Sequence, residues 1–308
     1  MHGLADHFLR DLITGLGGYD GAVSEFVRIT DTALPDTVFQ KYSPEIAQGS
    51  RTPAGTPVVV QLLGSDPELL ARNAALLSRI SAAGVDLNFG CPAKIVGRHG
   101  GGAVLLNDPA LLNRIVNTVC SAVPSGFPVS AKMRLGVSDT SRAIECAQAL
   151  ADGGARSIVV HARTRDDGYR PPAHWEWVAR IADAVKVPVV ANGEVWSVAD
   201  WRRCRTISAC SDVMIGRGAV ADPFLANRIK GTMDEVPGPG EWPRLLALLI
   251  EYWTKINHHT HAVKASGRLK LLLGNFKRTW PEAERLYLAI RPQSDPFDIG
   301  RTLATRLP

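Results

Sequence analysis

Val85-Asp86-Leu87-Asn88-Phe89-Gly90-Cys91-Pro92 is the stretch whose reading decides the fold, followed at once by Gly97-Arg98-His99-Gly100-Gly101-Gly102-Ala103. A short apolar strand runs into a polar Asn and, just past its carboxyl end, into a cysteine set between Gly90 and Pro92. Strands that end in reactive side chains are where α/β barrels keep their chemistry. A structural thiol usually sits inside a helix or strand, whereas Cys91 sits at a strand-to-loop corner that a substrate can reach. Spacing alone leaves two readings open, a catalytic Cys91 and a merely tolerated loop cysteine.

Outward from this strand the same unit recurs. Apolar runs at residues 22–27, 57–64, 128–134, 157–163, 187–194 and 212–215 read as further strands. Between them lie helical patterns. Ser65-Asp66-Pro67-Glu68 has capping-box spacing with Pro at the helix start, and Asn107-Asp108-Pro109 opens another helix. Strictly alternating strands and helices imply a parallel sheet with right-handed crossovers. Regularity over about 220 residues favours a TIM (β/α)8 barrel over a doubly wound sheet. Seven strands are legible, however, and the chain opens on an amphipathic helix over residues 5–16. Because an open parallel barrel exposes strand edges, a first strand is expected to be truncated, or another segment closes the gap. After the Pro/Gly-rich linker at 234–240 the pattern turns wholly helical, so the expected division is a barrel over 1–235 and a small all-α bundle over 236–308.

Composition narrows the class. With 308 residues, 45% hydrophobic and 21% charged, the chain has the make-up of a globular enzyme, and it holds no apolar run long enough to span a membrane. Cys91, Cys120, Cys146, Cys204 and Cys210 form no CxxC pair, which argues against a disulfide framework and a zinc site. No secretory signal is legible at the amino terminus, so a cytoplasmic location is expected. The net charge is +5, and from Glu241 onward there are eleven Lys/Arg against six Asp/Glu, so the whole excess lies in the helical tail. That is the footprint of a polyanionic partner, or of a solvated helix surface. His258, His259 and His261 form a short tract with no acidic or thiol neighbour, which favours a polar or RNA-facing surface over a metal site.

Every legible strand ends in hydrogen-bonding or charged groups: Arg28; Gln61; Asn88 with Cys91; Lys132 with Arg134; His161 with Arg163; Asn192-Gly193-Glu194; and Gly216-Arg217. Such a ring of polar ends points to a ligand. The glycines of the last two, backed by Arg217, suit a phosphate, because backbone N–H groups approach closely there and Arg adds a bidentate charge. A cofactor bearing one phosphate is expected. The run after Cys91 is neither GxGxxG nor a P-loop and reads as a flexible lid.

Leu87-Asn88-Phe89-Gly90-Cys91-Pro92, Lys132-Met133-Arg134-Leu135-Gly136, His161-Ala162-Arg163-Thr164, Asn192-Gly193-Glu194-Val195-Trp196 and Met214-Ile215-Gly216-Arg217-Gly218 together resemble the flavin-dependent tRNA-dihydrouridine synthases. The match runs in order over nearly the whole chain. Glu25-Phe26-Val27-Arg28 and the compact basic tail resemble the bacterial C-type enzymes, which act on uridine 16 in the D-loop. The resemblance implies that NADPH reduces FMN, that hydride passes to C6 of a flipped uracil, and that Cys91 protonates C5. A thiol suits that task, being protonated at neutral pH yet able to release the proton. It further implies that Gln61, Lys132, His161, Asn192, Gly193, Glu194, Gly216 and Arg217 bind the cofactor. Asn88 and Arg134 are implied to hold the base, Arg28 to line the RNA path, and Arg268, Lys270, Lys277 and Arg291 to grip the tRNA. Family members open on a strand ending in Ala-Pro-Met whose backbone packs on the flavin; here Met1 falls at that methionine and His2 where a Glu is usual. A monomer is expected. The competing readings are a flavin barrel acting on a small molecule, whose kind lacks a basic helical tail, and an RNA-binding remnant impaired by the missing strand.

Overall fold

The computed structural model describes residues 3–238 and 240–306, and Met1 lies outside them. Seven strands form one sheet in the order β1 to β7: Ala22–Arg28, Val58–Leu63, Val85–Phe89, Val129–Arg134, Ser157–His161, Val189–Asn192 and Val213–Met214. Each pairs in parallel with the next. Sequential parallel order needs a crossover between every pair of strands, and helices such as Pro67–Leu77, Pro109–Ala122, Ala143–Asp152 and Trp175–Ala184 supply it. This is the β/α-barrel architecture expected from the alternation, with seven strands among the described residues as counted in the sequence.

Local sequence fixes the crossovers. Asp66 and Asp108 accept from the backbone N–H groups of Leu69 and Leu111 at 2.8 and 2.9 Å, each with Pro at the first helical turn. Such a cap is worth about 1 kcal/mol. The helices bury one stripe against the sheet: Leu70, Ala74 and Leu77, then Leu112, Ile115, Val116 and Val119, pack with Val60, Leu62, Val85, Leu87 and Phe89. Each large apolar side chain so buried contributes roughly 1.5–3 kcal/mol.

The chain divides into two compact units. The sheet unit comprises 20–195 and 199–215; the helical unit comprises the residues up to Tyr19, Trp196–Val198, and those from Gly216 onward. The compact units therefore part at points other than 235/236. The reason lies in the opening helix, His7–Gly15, whose Leu9 and Leu12, with Leu16, share a core with Phe224, Leu249, Tyr252, Leu272 and Phe276 rather than with the sheet. In the helical unit Arg228 is buried and bonds Asp222 at 2.7 Å, Glu241, and the carbonyl of Asp234 at 2.8 Å. That cluster ties the Pro/Gly-rich segment to the helices on either side of it. Trp253 and Trp280 are core residues of this unit. No helix among the described residues is long and apolar enough to cross a membrane.

Candidate active site

Alternation along the strands separates two chemistries. On β3, Val85, Leu87 and Phe89 join the helix-side core, so Asp86 and Asn88 point to the other face. On β4, Val129, Ala131 and Met133 do the same and leave Ser130, Lys132 and Arg134 opposite. Register then sets these neighbours side by side: Gln61 against Asp86, Asp86 against Ser130, Asn88 against Lys132, and His161 against Asn192. Gln61, Asp86, Asn88, His161 and Asn192 are all buried.

Buried polar groups need partners, and these supply one another. Asp86 accepts from Ser130 Oγ at 2.6 Å and from Gln61 Nε2 at 2.7 Å. Gln61 Oε1 accepts from Asn88 Nδ2 at 2.6 Å. Asn88 Oδ1 accepts from the backbone N–H groups of Gly90 at 3.0 Å and Cys91 at 2.9 Å. Across the face, Lys132 Nζ donates to Asn192 Oδ1 at 3.0 Å, and Asn192 Nδ2 donates to the Met214 carbonyl at 2.8 Å. Crowding by protein pushes the Lys132 ammonium down to about 8, with the Arg134 charge acting in the same sense and Asp86 opposing. Burial likewise pushes Asp86 up, while its bonds from Ser130 and Gln61 and the Lys132 charge pull it down.

Cys91 is half-buried at the corner after β3, the place its sequence context indicates. Its carbonyl accepts from Ala103 N–H at 3.0 Å. Gly102 makes this closure possible, since a Cβ there would lie 2.7 Å from the Cys91 oxygen and φ is +65°. The run read as a lid is not a bare loop: it forms a short helix, Lys94–Arg98, and a 3-10 segment, Gly102–Asn107. Cys146, Cys204 and Cys210 are buried and Cys120 is half-buried.

Arg134 is 2% exposed and spends itself on backbone: Nε donates to the Gly90 carbonyl at 2.9 Å, and Nη1 to those of Thr164 and Gly168 at 2.7 and 2.9 Å. It thereby ties the Cys91 corner to the loop after β5. The Tyr169 ring lies 5.3 Å from its guanidinium carbon and 6.0 Å from the His161 ring. Arg163, fully buried, pairs with Glu194. Gly193 adopts φ +118°, and a Cβ there would meet His161 Cδ2 at 3.0 Å, so the chain bends tightly over the imidazole only because the residue is glycine.

Gly216 and Arg217 belong to the helical unit. Gly216 precedes the short helix Arg217–Ala221, and Arg217 stacks on Trp196 at 5.0 Å, a ring that Arg278 also covers at 3.8 Å. Arg28 ends β1 and lines a cleft of about 170 Å³ with Asp31, Ser65, Asp66 and His99. Of the four tail residues, Arg268 pairs with Asp6 at 2.9 Å and Lys270 donates to the Gln293 carbonyl at 2.6 Å, whereas Lys277 and Arg291 are exposed. Asp86, Ser130 and Tyr169 were not singled out from the sequence. The available signal was Asp86 itself, a carboxylate two residues before Asn88 in an otherwise apolar strand. No group of three or more His, Cys, Asp or Glu among the described residues is placed to hold a metal.

A parallel β/α-barrel sheet whose polar side chains gather at the carboxyl ends of β2 to β6 defines the class: an enzyme of the barrel type. The family model described as dihydrouridine synthase (Dus) matches residues 1–279, and the chain belongs to that family, whose members are oxidoreductases. It is 61% identical over 303 residues to a tRNA-dihydrouridine(16) synthase of Cupriavidus necator, covering 98% of this chain and 94% of that protein. It is also 51% identical over 304 residues to the protein of the same name in Pseudomonas putida, covering 98% and 94%. Among solved structures it resembles an old yellow enzyme homologue from Zymomonas mobilis, with a TM-score of 0.52 at 12% identity over 77% of this chain and 84% of that one. Morphinone reductase in complex with tetrahydroNAD gives a TM-score of 0.52 at 14% identity, over 78% and 85%. The likeness to these two is one of fold.

Proposed function

We propose that this chain reduces the C5=C6 bond of a uridine in tRNA to 5,6-dihydrouridine, at position 16 of the D-loop, with bound FMN and with NADPH as reductant. The observation that carries the reading is Cys91, a thiol at the end of β3 beside a buried face of amide, ammonium and imidazole groups, in a chain 61% identical to a protein named for this reaction.

The residues present fit a flavin. An ammonium has three N–H groups, and Lys132 commits one to Asn192, leaving donors for the oxygen and nitrogen edge of an isoalloxazine. The tight backbone at Gly193 brings the Asn192-Gly193-Glu194 segment over His161 with no side chain between. Gln61, Lys132, His161, Asn192, Gly193 and Glu194 would hold the group; Gly216 and Arg217 are the residues that the family resemblance implies for its phosphate. When bound, FMN supplies hydride to C6 of the base after taking it from NADPH.

The chain's own groups do the rest. Cys91 Sγ gives its proton to C5 as C6 gains hydride and is reprotonated from solvent, so one NADPH and one proton are consumed per uridine reduced. Asn88 holds the uracil, which must leave the base stack at a cost of a few kcal/mol, least for a loop nucleotide, and Arg134 supports that corner through the Gly90 carbonyl. Arg28 lines the approach. Residues 1–235 act as the FMN-binding catalytic part and 236–308 as the tRNA-binding part, in a cytoplasmic monomer, with Arg268 and Lys270 shaping the surface that Lys277 and Arg291 present to phosphate. The test is to incubate the purified protein with NADPH and unmodified tRNA and to map dihydrouridine. Product at position 16 supports the reading; flavin-dependent NADPH oxidation without dihydrouridine in tRNA contradicts it.

A further inference from the structure

The bonds that end at Cys91 form a directed chain. At one end, the backbone N–H groups of Gly90 and Cys91 only donate, so Asn88 must turn its oxygen to them, at 3.0 and 2.9 Å. Its NH2 then faces Gln61 Oε1 at 2.6 Å, and the NH2 of Gln61 faces Asp86 Oδ2 at 2.7 Å. At the other end Asp86 accepts with both oxygens, from Gln61 and from Ser130, which demands the same orientation of both amides. Reversing either amide sets donor against donor at one end. The second oxygen of Asp86 is held by Ser130 Oγ at 2.6 Å, and the residue is 2% exposed.

The chain matters because of what it leaves free at Cys91. The N–H is fixed through Asn88 and the carbonyl through Ala103, so the sulfur retains rotation about χ1 alone. We propose that Asp86 is a positioning residue: as the terminal acceptor it orients the Gln61 and Asn88 amides, and through them it holds the backbone that aims the Cys91 thiol. This rests on the reading of Cys91 as the acid, but the geometry it predicts is measurable without turnover.

The experiment compares the full-length protein as purified with Asp86→Leu, Gln61→Met and Asp86→Asn, reading amide hydrogen exchange at Gly90 and Cys91 against Leu87 in the same strand. Alkylation of Cys91 by iodoacetamide is read against Cys120, the other half-buried thiol. Loss of one net hydrogen bond corresponds to about fivefold. Asp86→Leu and Gln61→Met are expected to speed exchange at 90 and 91 by about that factor and to change the Cys91 alkylation rate, with Leu87 and Cys120 unmoved. Asp86→Asn keeps an oxygen for Gln61 and an NH2 for Ser130 and is expected to restore wild-type behaviour at both. Should Asp86→Leu fail to fold, Gln61→Met removes the middle link and, with all proteins compared stripped of flavin, carries the same expectation. Wild-type exchange at 90 and 91 in folded Asp86→Leu or Gln61→Met overturns the proposal, and so does Asp86→Asn behaving like Asp86→Leu. Failure of Cys91 as the acid would appear instead as unchanged uridine reduction in Cys91→Ala, with these exchange rates unaffected.

Discussion

Lys132 and Lys277 show how differently the two units use the same side chain. Lys132, on β4, is crowded by protein, bonds Asn192 at 3.0 Å, and is pushed down to about 8. Lys277, just past the helix Ala262–Phe276, stands exposed with its ammonium 5.3 Å from the Tyr287 ring. At the strand ends of the sheet unit, the charge of Lys132 is fixed in place by its partner and desolvated, which gives it a defined direction. In the helical unit, charge that is buried is consumed structurally, as at Arg228, and charge that is exposed is adjustable and screened by salt. Chemistry on a single base needs the first kind; a long, sequence-independent phosphate surface is served by the second.

The sharpest break in this contrast is at Arg228. Arg228→Met strips the buried Asp222 carboxylate and the half-buried Glu241 carboxylate of their shared cation, so thermal or denaturant unfolding should report a loss of about 3–5 kcal/mol. A loss below about 1 kcal/mol would show that the pair is not held as buried charge. Next is Lys132→Met, where removing a charged donor from the proposed flavin site is expected to weaken FMN binding by about ten- to a hundredfold, measured by flavin fluorescence. Its pH dependence follows from the depressed value. In the wild type, FMN affinity should fall as pH rises through about 8 and Lys132 loses its proton, and in Lys132→Met it should stay flat across that range. For the flavin-free protein the sign is opposite. The unfolded lysine binds more protons between about 8 and its ordinary value of roughly 10.5, so this group adds stability as pH rises through that window.

Smaller effects are expected on the helical side. Lys277→Ala and Arg291→Ala should each weaken tRNA binding a few-fold and lower the slope of log affinity against log salt by roughly one. An unchanged slope would remove them from the phosphate surface. Smallest is Lys255→Ala. Its 2.7 Å pair with Asp11 has the lysine side chain 52% exposed, so unfolding should shift by less than about 1 kcal/mol.

Much of this was legible in the sequence. Seven strands are read and seven are found among the described residues, because each is an apolar run closed by a turn or a capped helix, and the polar strand ends mark the face on which Gln61, Asn88, Lys132, His161 and Asn192 meet. Register was not legible, and register is what brings Asp86 between Gln61 and Ser130 and gives a buried carboxylate its purpose. Nor was the partner of the opening helix. Its apolar stripe fits any core, and only the folded chain shows Leu9 and Leu12 packed with Tyr252 and Leu272. Arg134 illustrates a third gap: its place beside the Cys91 corner follows from the motif, but its three bonds to backbone carbonyls depend on how the loop after β5 returns.

The central claim is that Cys91 stands as the acid over a bound flavin, and Cys91→Ala tests it most directly. Wild-type and variant proteins are purified, their flavin content is measured by absorbance, and each is given NADPH and unmodified tRNA. Loss of a general acid typically slows a reaction by about 10²–10⁴-fold, so the variant should keep its flavin and still oxidise NADPH while forming dihydrouridine at least a hundredfold more slowly. Equal rates of dihydrouridine formation in the two proteins would contradict the account.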